Sequence, residues 1–207
     1  MFTGIVTAIG TITHTDQRGD LRVRISAPLD PARIDIGASI ACSGVCLTVV
    51  DRGSEQSGAW FEVDVSRETV SRTVPAMWHQ DARLNIEPSL RLGDELGGHI
   101  VTGHVDSIGG VVMARQEGDS WRIAIRARAE MSPFIAEKGS ITVDGVSLTV
   151  NDVRDRPDGM CDFALNIIPH TGDVTTLGDL QVGAQVNLEI DVLARYLRRM
   201  QGLAAAG

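Results

Sequence analysis

Six side chains in this sequence can move protons, hold charge or attack carbon: Cys46, His104, Lys138, Asp144, Ser147 and Asp191. A thiol or hydroxyl can add to an electron-poor carbon or deliver water to it. A histidine titrates near neutrality, where acid–base work is done. A lysine can stabilise a developing anion, and a carboxylate can orient its neighbours. Taken singly, each has a plainer explanation. Cys46 lies on an apolar strand, where cysteine is commonly a small core residue; the same holds for Cys42 and Cys161. Lys138 fits a solvated cation at a helix end. Asp191 fits a helix cap as well as a catalytic group. His104 divides evenly between structural histidine and site residue, and His99 fits a structural hydrogen bond. Cys42-x3-Cys46 would be half a metal site, but no Cys or His pair at matching spacing stands elsewhere, so no metal centre is expected.

Repetition separates some of these residues from the background. Gly44-Val45-Cys46-Leu47-Thr48-Val49 recurs as Gly145-Val146-Ser147-Leu148-Thr149-Val150, with Cys46 changed to Ser147. Between residues 39–51 and 140–152, 8 of 13 positions are identical. Thr3-Gly4-Ile5-Val6 answers to Thr102-Gly103-His104-Val105, and Leu84-Asn85-Ile86-Glu87 to Val186-Asn187-Leu188-Glu189, at offsets of 99 to 102. Such spacing is a duplicated domain, since solenoid units run only about 20–50 residues. The copies diverge where chemistry can: Cys46 against Ser147, Ser43 against Asp144, Ile5 against His104. Lys138 precedes Gly139, while Ile36 precedes Gly37.

The elements that must position these residues are mostly strands. Leu21, Val23 and Ile25 alternate with Arg22, Arg24 and Ser26, and residues 61–65 alternate in the same way; period two marks strands with one wet face. Arg18-Gly19-Asp20 reads as a turn. Asp30-Pro31 starts a short helix that Gly37 stops, and residues 66–73 read as a second. The second copy follows the same plan, with Gly109-Gly110 as a bulge or tight bend. Many short strands and little helix predict an all-β fold of small closed Greek-key barrels. We expect one barrel over residues 1–95 and another over 96–190. After Asp191, the apolar residues Leu193, Tyr196, Leu197, Met200 and Leu203 fall at helical spacing, opposite Arg195, Arg198 and Arg199. Residues 191–207 therefore read as an amphipathic helix that packs against its copies in an oligomer or on its own barrel. In the first copy, residues 70–83 depart from the second, so Pro75, Trp78 and His79 are expected to change the first barrel's surface or its subunit contact.

Composition narrows the function classes. The net charge is −8, with no basic run able to track a phosphate backbone, so nucleic acid is not an expected partner. No apolar run reaches the ~18 residues of a membrane helix. Three cysteines and no visible secretory signal predict free thiols in a reducing, cytoplasmic compartment.

Together, Met1-Phe2-Thr3-Gly4-Ile5-Val6, the Gly-Val-Cys-Leu-Thr-Val motif, Gly97-Gly98-His99 leading to Gly103-His104-Val105-Asp106, and Asp144-Gly145-Val146-Ser147-Leu148-Thr149-Val150 closely resemble the riboflavin synthase family, in its α-chain form. The resemblance covers essentially the whole chain. It implies two tandem six-stranded antiparallel lumazine-binding barrels, a C-terminal helix at the axis of a homotrimer, and no cofactor or metal. It implies that two molecules of 6,7-dimethyl-8-ribityllumazine exchange a four-carbon unit, giving riboflavin and 5-amino-6-(ribitylamino)uracil. The site would lie between the N-terminal barrel of one subunit and the C-terminal barrel of its neighbour.

By the same resemblance, the N-terminal pocket would be Gly4, Ile5, Val6, Cys46, Leu47, Thr48, Asp64, Val65, Ser66, Arg67, Glu68 and Thr69. The C-terminal pocket would be Gly103, His104, Val105, Lys138, Ser147, Leu148, Thr149, Ile168, Pro169, His170, Thr171, Gly172 and Asp173. His104 would take or give the proton of the C7 methyl group and Lys138 would stabilise the resulting anion. Cys46 or Ser147 would add to C7 or deliver water, with Asp144 and Asp191 orienting them. Two rivals remain: a non-catalytic lumazine- or flavin-binding relative, and a flavin-dependent reductase. The second would need a nicotinamide site, and no Gly-x-Gly-x-x-Gly fingerprint follows a strand.

Overall fold

A computed structural model describes residues 1–56 and 58–204. The described residues contain thirteen strands and three α-helices, arranged as two barrels and a terminal helix. The first barrel contains β1 (Ala8–Arg18), β2 (Asp20–Ala27), β3 (Ser39–Cys42), β4 (Val45–Glu55), β5 (Gly58–Val65) and β6 (Arg83–Pro88). All pair antiparallel and close in the order β1-β2-β5-β4-β3-β6. Alternation decides which residues enter. Val23 and Ile25 on β2, and Phe61, Val63 and Val65 on β5, are completely buried, while Arg22 and Arg24, alternating with the β2 pair, stay partly exposed.

The second barrel contains β7 (Ser107–Glu117), β8 (Ser120–Ala127), β9 (Ser140–Val143), β10 (Val146–Thr149), β11 (Asp152–Asp155), β12 (Cys161–Ile167) and β13 (Gln185–Ile190). Its sheet runs β10-β9-β13-β7-β8-β12-β11. The strand order repeats that of the first barrel, with the counterpart of β4 divided into β10 and β11. The division falls at Val150-Asn151, where β4 carries an irregularity between Val49 and Asp51. The sheet's two ends are thus consecutive pieces of one strand, curled toward each other.

The short helices match the sequence signals. Asp30 caps a 3-10 turn at Pro31–Arg33, accepting a hydrogen bond from the Ala32 N–H at 2.9 Å. Ser66 caps α1 (Arg67–Arg72), and α2 (Pro169–Val174) is its counterpart. Two expectations are corrected, on Gly109-Gly110 and on the counterpart of Gly37. Gly109 and Gly110 stay in regular register, and the β7 irregularity falls between Val111 and Met113. Within residues 70–83, a 3-10 turn at Pro75–Trp78 drives Met77 and Trp78 into the first core, where the indole N–H donates to Thr73 Oγ1 at 2.8 Å. Lys138, not Gly139, is the counterpart of Gly37. The Gly37 and Lys138 N–H groups donate to the carbonyls of Val49 and Val150, each at 2.8 Å.

The barrels meet across an approximate two-fold axis. The β3–β4 and β9–β10 turns, Ser43-Gly44 and Asp144-Gly145, all have positive φ, the two-residue hairpin geometry that matches strand twist. They stand back to back: a Cβ added to Gly44 would lie 2.9 Å from the Gly145 nitrogen, and one on Gly145 2.7 Å from the Gly44 nitrogen. Asn85 and Asn187 tie the joint reciprocally. Asn85 donates to the Asp144 carbonyl at 2.9 Å, and Asn187 to the Ser43 carbonyl at 3.0 Å.

The terminal helix α3 (Val192–Ala204) begins where Asp191 accepts from the Leu193 N–H at 2.9 Å. Arg195 ties it to the second barrel through Asp106, at 2.8 Å. Leu193, Tyr196, Leu197 and Met200 remain 59–65% exposed, so its own barrel does not cover this face. The Leu203 side chain and residues 205–207 lie outside the described residues. None of the described helices is long and apolar enough to cross a membrane.

Candidate functional site

Each copy of the repeated motif starts a strand on the outer face of its barrel. Cys46 is half-buried in an apolar cluster with Phe2, Ala41 and Val101, and Thr48 is exposed. Val49 on β4 pairs with Val63 on the antiparallel β5, so the chain leaving β5 at Val65 passes the start of β4. This carries Asp64, Val65, Ser66, Arg67, Glu68 and Thr69 toward Cys46, Leu47 and Thr48. In the second barrel, Asp152 pairs with Ala164. Ile168, Pro169, His170, Thr171, Gly172 and Asp173 therefore run toward Ser147, Leu148 and Thr149.

The third segment of each half-site comes from the opposite barrel. The Cys46 N–H donates to the Gly103 carbonyl at 2.8 Å, and the Ser147 N–H donates to the Gly4 carbonyl at 2.8 Å. Val105 packs against the first core and Val6 against the second. The sequence grouping of Gly4, Ile5 and Val6 with Cys46, and of Gly103, His104 and Val105 with Ser147, is thus reversed. Two buried carboxylates anchor the crossing segments. Glu87 on β6 accepts from the Thr3 N–H and hydroxyl and the Gly4 N–H at 2.7–3.0 Å. Glu189 on β13 accepts from the Thr102 N–H and hydroxyl and the N–H groups of Gly103 and His104 at 2.6–3.1 Å. Burial holds both carboxyls above the ordinary carboxylate range, against those hydrogen bonds.

The half-sites are chemically unequal. Cys46 is packed by carbon. The Ser147 hydroxyl lies 2.7 Å from His99 Nδ1, and His99 Nε2 lies 3.2 Å from the Thr142 hydroxyl. Burial lowers the His99 pKa below its usual value, with the Asp191 charge opposing, so the ring is neutral at pH 7. Thr142 corresponds to Ala41, so the first copy lacks this hydroxyl. This contact gives His99 a place in the site that the sequence did not reveal. One signal was legible: Gly97-Gly98 precedes it, and a Cβ on Gly98 would lie 2.1 Å from the Thr3 carbonyl oxygen, so only glycine admits the approach. His104 is exposed, one residue from the Gly103 carbonyl that holds Cys46.

Lys138 is exposed at φ 64°, the left-handed region where the first barrel uses Gly37 at φ 86°. Replacing Lys138 with glycine relieves about 1–2 kcal/mol of strain, offset by about 0.4–1 kcal/mol of unfolded-chain entropy. The Lys138→Gly thermal midpoint is therefore expected to match or slightly exceed that of the unsubstituted protein. A clear drop would show that the lysine side chain is a structural prop.

Asp144 opens the turn between β9 and β10. Its hydrogen bonds go to the joint between barrels: its carboxylate accepts from the Asn187 N–H at 2.7 Å, and its carbonyl from Asn85. Burial pushes its pKa up to about 7, against the bond from Asn187. The folded state therefore keeps a proton that the unfolded state releases near pH 4. That contribution is full below pH 4 and is lost as pH rises toward 7. Asp144→Asn, which suits the positive-φ turn, should be more stable than the parent by about 2–4 kcal/mol at pH 8 and nearly equal to it at pH 4. Thermal melts across that range test this; parallel curves would refute it.

Among the described residues, no group of three His, Cys, Asp or Glu could hold a metal ion. Ile5 lines a cavity of about 410 Å³ together with Thr3, Leu29, Arg33, Glu87 and Arg91, to which neither motif strand contributes a residue.

Residues 3–89 and 102–191 each match the lumazine binding domain family model. The chain is 46% identical over 202 residues to the riboflavin synthase of Brucella abortus (strain 2308), covering 97% of this chain and 98% of that one. It is 42% identical to that of Photobacterium phosphoreum, covering 97% and 88%, and 33% identical to that of Saccharomyces cerevisiae, covering 96% and 85%. Among solved structures, LumP complexed with riboflavin superposes with a TM-score of 0.76 at 23% identity, covering 92% of this chain and 99% of that one. LumP complexed with 6,7-dimethyl-8-(1'-D-ribityl) lumazine gives 0.73 at 23% identity, with the same coverage. With two lumazine-binding domains in tandem and full-length relatives of one activity, this chain belongs to the riboflavin synthase family.

Proposed function

We propose that this protein is a cytoplasmic, homotrimeric riboflavin synthase needing no cofactor or metal. It would convert two molecules of 6,7-dimethyl-8-ribityllumazine into riboflavin and 5-amino-6-(ribitylamino)uracil by transferring a four-carbon unit. The observation that carries this reading is the pair of half-sites, alike in plan and unlike in reactive groups. A dismutation needs two bound copies of one ligand in different roles, and a duplicated domain with Cys46 in one motif and Ser147 in the other meets that requirement. Barrels over residues 1–95 and 96–190 would each hold one copy, through backbone groups and hydroxyls that suit a pyrimidine edge and a polyol.

The chemistry starts with loss of a proton from the C7 methyl group of one lumazine. His104 would accept it, and Lys138 would stabilise the delocalised anion. A lysine kept where its counterpart is glycine supports a functional role, because strain persists where a site needs the side chain. On the other lumazine, Ser147 or Cys46 would engage the electron-poor C7, with the neutral His99 aligning the Ser147 hydroxyl. Asp191, whose charge reaches His99, would tune that ring. Purified protein supplied with the lumazine alone, without reductant, should form one riboflavin for every two lumazines consumed. Binding without turnover would instead favour a lumazine- or flavin-holding relative.

Assembly is part of the proposal. Ile5, next to the Gly4 that holds Ser147, and Ile168, at the start of the segment running toward Ser147, are 49% and 53% exposed, and the α3 stripe is open. Apolar groups so placed fit a site that another subunit closes. Leu197→Arg should convert trimer to monomer in analytical ultracentrifugation and reduce turnover about 100-fold or more, since half-sites on separate chains no longer meet. A fully active monomer would refute the shared site.

A further inference from the structure

We propose that Glu189 and Glu87 are positioning residues acting crosswise: Glu189, on the second barrel, serves the Cys46 half-site of the first, and Glu87, on the first barrel, serves the Ser147 half-site of the second. The assignment rests on the proposed riboflavin synthase site and extends it to two residues that carry no chemistry themselves.

Each carboxylate does one local job. The Glu189 oxygens collect four donors from three consecutive residues: Thr102 N–H and Oγ1–H on one oxygen, Gly103 and His104 N–H on the other. Glu87 collects three, two from Thr3 and one from Gly4. Both carboxylates are nearly inaccessible, at 2% and 5% exposure. A buried cluster of N–H and O–H donors needs an acceptor-only group. A glutamine would turn an NH2 toward these donors and leave some of them unmet. Immediately after each anchored residue, the chain crosses. The Gly103 carbonyl accepts from Cys46 and the Gly4 carbonyl from Ser147, both at 2.8 Å. There is no slack, since a Cβ on Gly103 or Gly4 would lie 2.6 Å from the Cys46 or Ser147 Cβ. The chain then returns home, the Asp106 N–H donating to Leu188 and the Thr7 N–H to Ile86. A shift at either carboxylate is thus delivered to the partner barrel's motif strand, and Glu189 also sets the backbone of His104.

A purely structural role would weaken both half-sites together; the crossed role couples each glutamate to one. The test is a pair of double-mutant cycles in the full-length protein, E189Q and E87Q each combined with C46S and with S147A. Two signals are read: turnover of 6,7-dimethyl-8-ribityllumazine, and the two bound environments of 13C-labelled riboflavin by NMR. E189Q alone should lower kcat about 10–100-fold, the cost of misplacing a reacting group. It should add less than about threefold in C46S yet multiply fully with S147A, as coupled and independent sites do. E87Q should show the reverse. In NMR, E189Q should shift the riboflavin environment that C46S shifts, and E87Q the one that S147A shifts. Equal coupling of both glutamates to both half-sites, or pairing within one barrel, overturns the proposal. If a glutamine variant does not fold, E189D and E87D, which keep the charge and withdraw it by one methylene, carry the same cycles. If the unsubstituted protein binds riboflavin without turning over the lumazine, the proposed function fails, and the NMR arm still decides the crossed coupling.

Discussion

Phe2→Ala is expected to cost about 3–5 kcal/mol of stability, the range for emptying a buried phenylalanine site. It should also lower turnover about 100-fold. Phe2 is completely buried in the cluster of Ala41, Val101 and Cys46. Its backbone exchanges two hydrogen bonds with Val101, at 2.8 and 3.0 Å. That bridge joins the chain entering the first barrel to the chain entering the second, immediately ahead of both crossing segments. Removing the ring opens a void under Cys46 and loosens residues 3–6 and 102–105 together, so both half-sites lose their third wall. For a chain of this size the thermal midpoint should fall by about 10 °C, at roughly 2–4 °C per kcal/mol. Phe2→Leu should lose about a third of that by keeping most of the volume. Thermal melts and lumazine turnover check this. A variant with the parental kcat would show that the cluster only fills space.

Gly103→Ala is expected to silence one half-site while leaving the other able to bind. Gly103 has φ +77°, and an added Cβ would lie 2.6 Å from the Cys46 Cβ and 2.8 Å from its backbone nitrogen. The left-handed conformation costs alanine about 1–2 kcal/mol, and the overlap about 1–3 kcal/mol more unless the segment moves. Movement relieves the clash by breaking the Cys46 N–H bond to the Gly103 carbonyl and carrying His104 away. Riboflavin titration should then show one strong site per chain instead of two, and turnover should fall at least 100-fold, since dismutation needs both. Gly4→Ala should give the mirror result at the Ser147 half-site, where the equivalent overlap is also 2.6 Å. Two unaltered binding sites in Gly103→Ala would refute the close approach.

The candidate residues were legible as residues, less so as partners. The repeated motif located Cys46 and Ser147, and its two differing letters are the two environments: one thiol among carbon, one hydroxyl on a histidine. The short helices announced themselves through Asp30-Pro31 and Ser66, because capping is a local exchange between a side chain and an N–H a few residues on. The burial of Trp78 was not legible, because the 3-10 turn and the Thr73 acceptor that make it possible belong to the fold. Asp144 lies beside the motif, yet its carboxylate is engaged by Asn187 of its own barrel and its carbonyl by Asn85 of the other, contacts that no local pattern records. His99 and Thr142 meet across 43 positions, which no local pattern records.

The sequence by itself determined that the fold is doubled, that strands build it, and that the copies differ at a few reactive positions. Each of these properties is periodic or repetitive along one dimension. Only the tertiary structure decided which copy's segment completes which half-site. Thr3-Gly4 and Thr102-Gly103 are interchangeable in pattern, and the strands they could meet, at Cys46 and Ser147, are equally alike. Glu87 and Glu189 hold donors 83 to 87 positions away. The choice between own barrel and partner barrel is made by the path of the chain around the two-fold joint, where Gly44 and Gly145 bring the barrels close enough for the segments to cross.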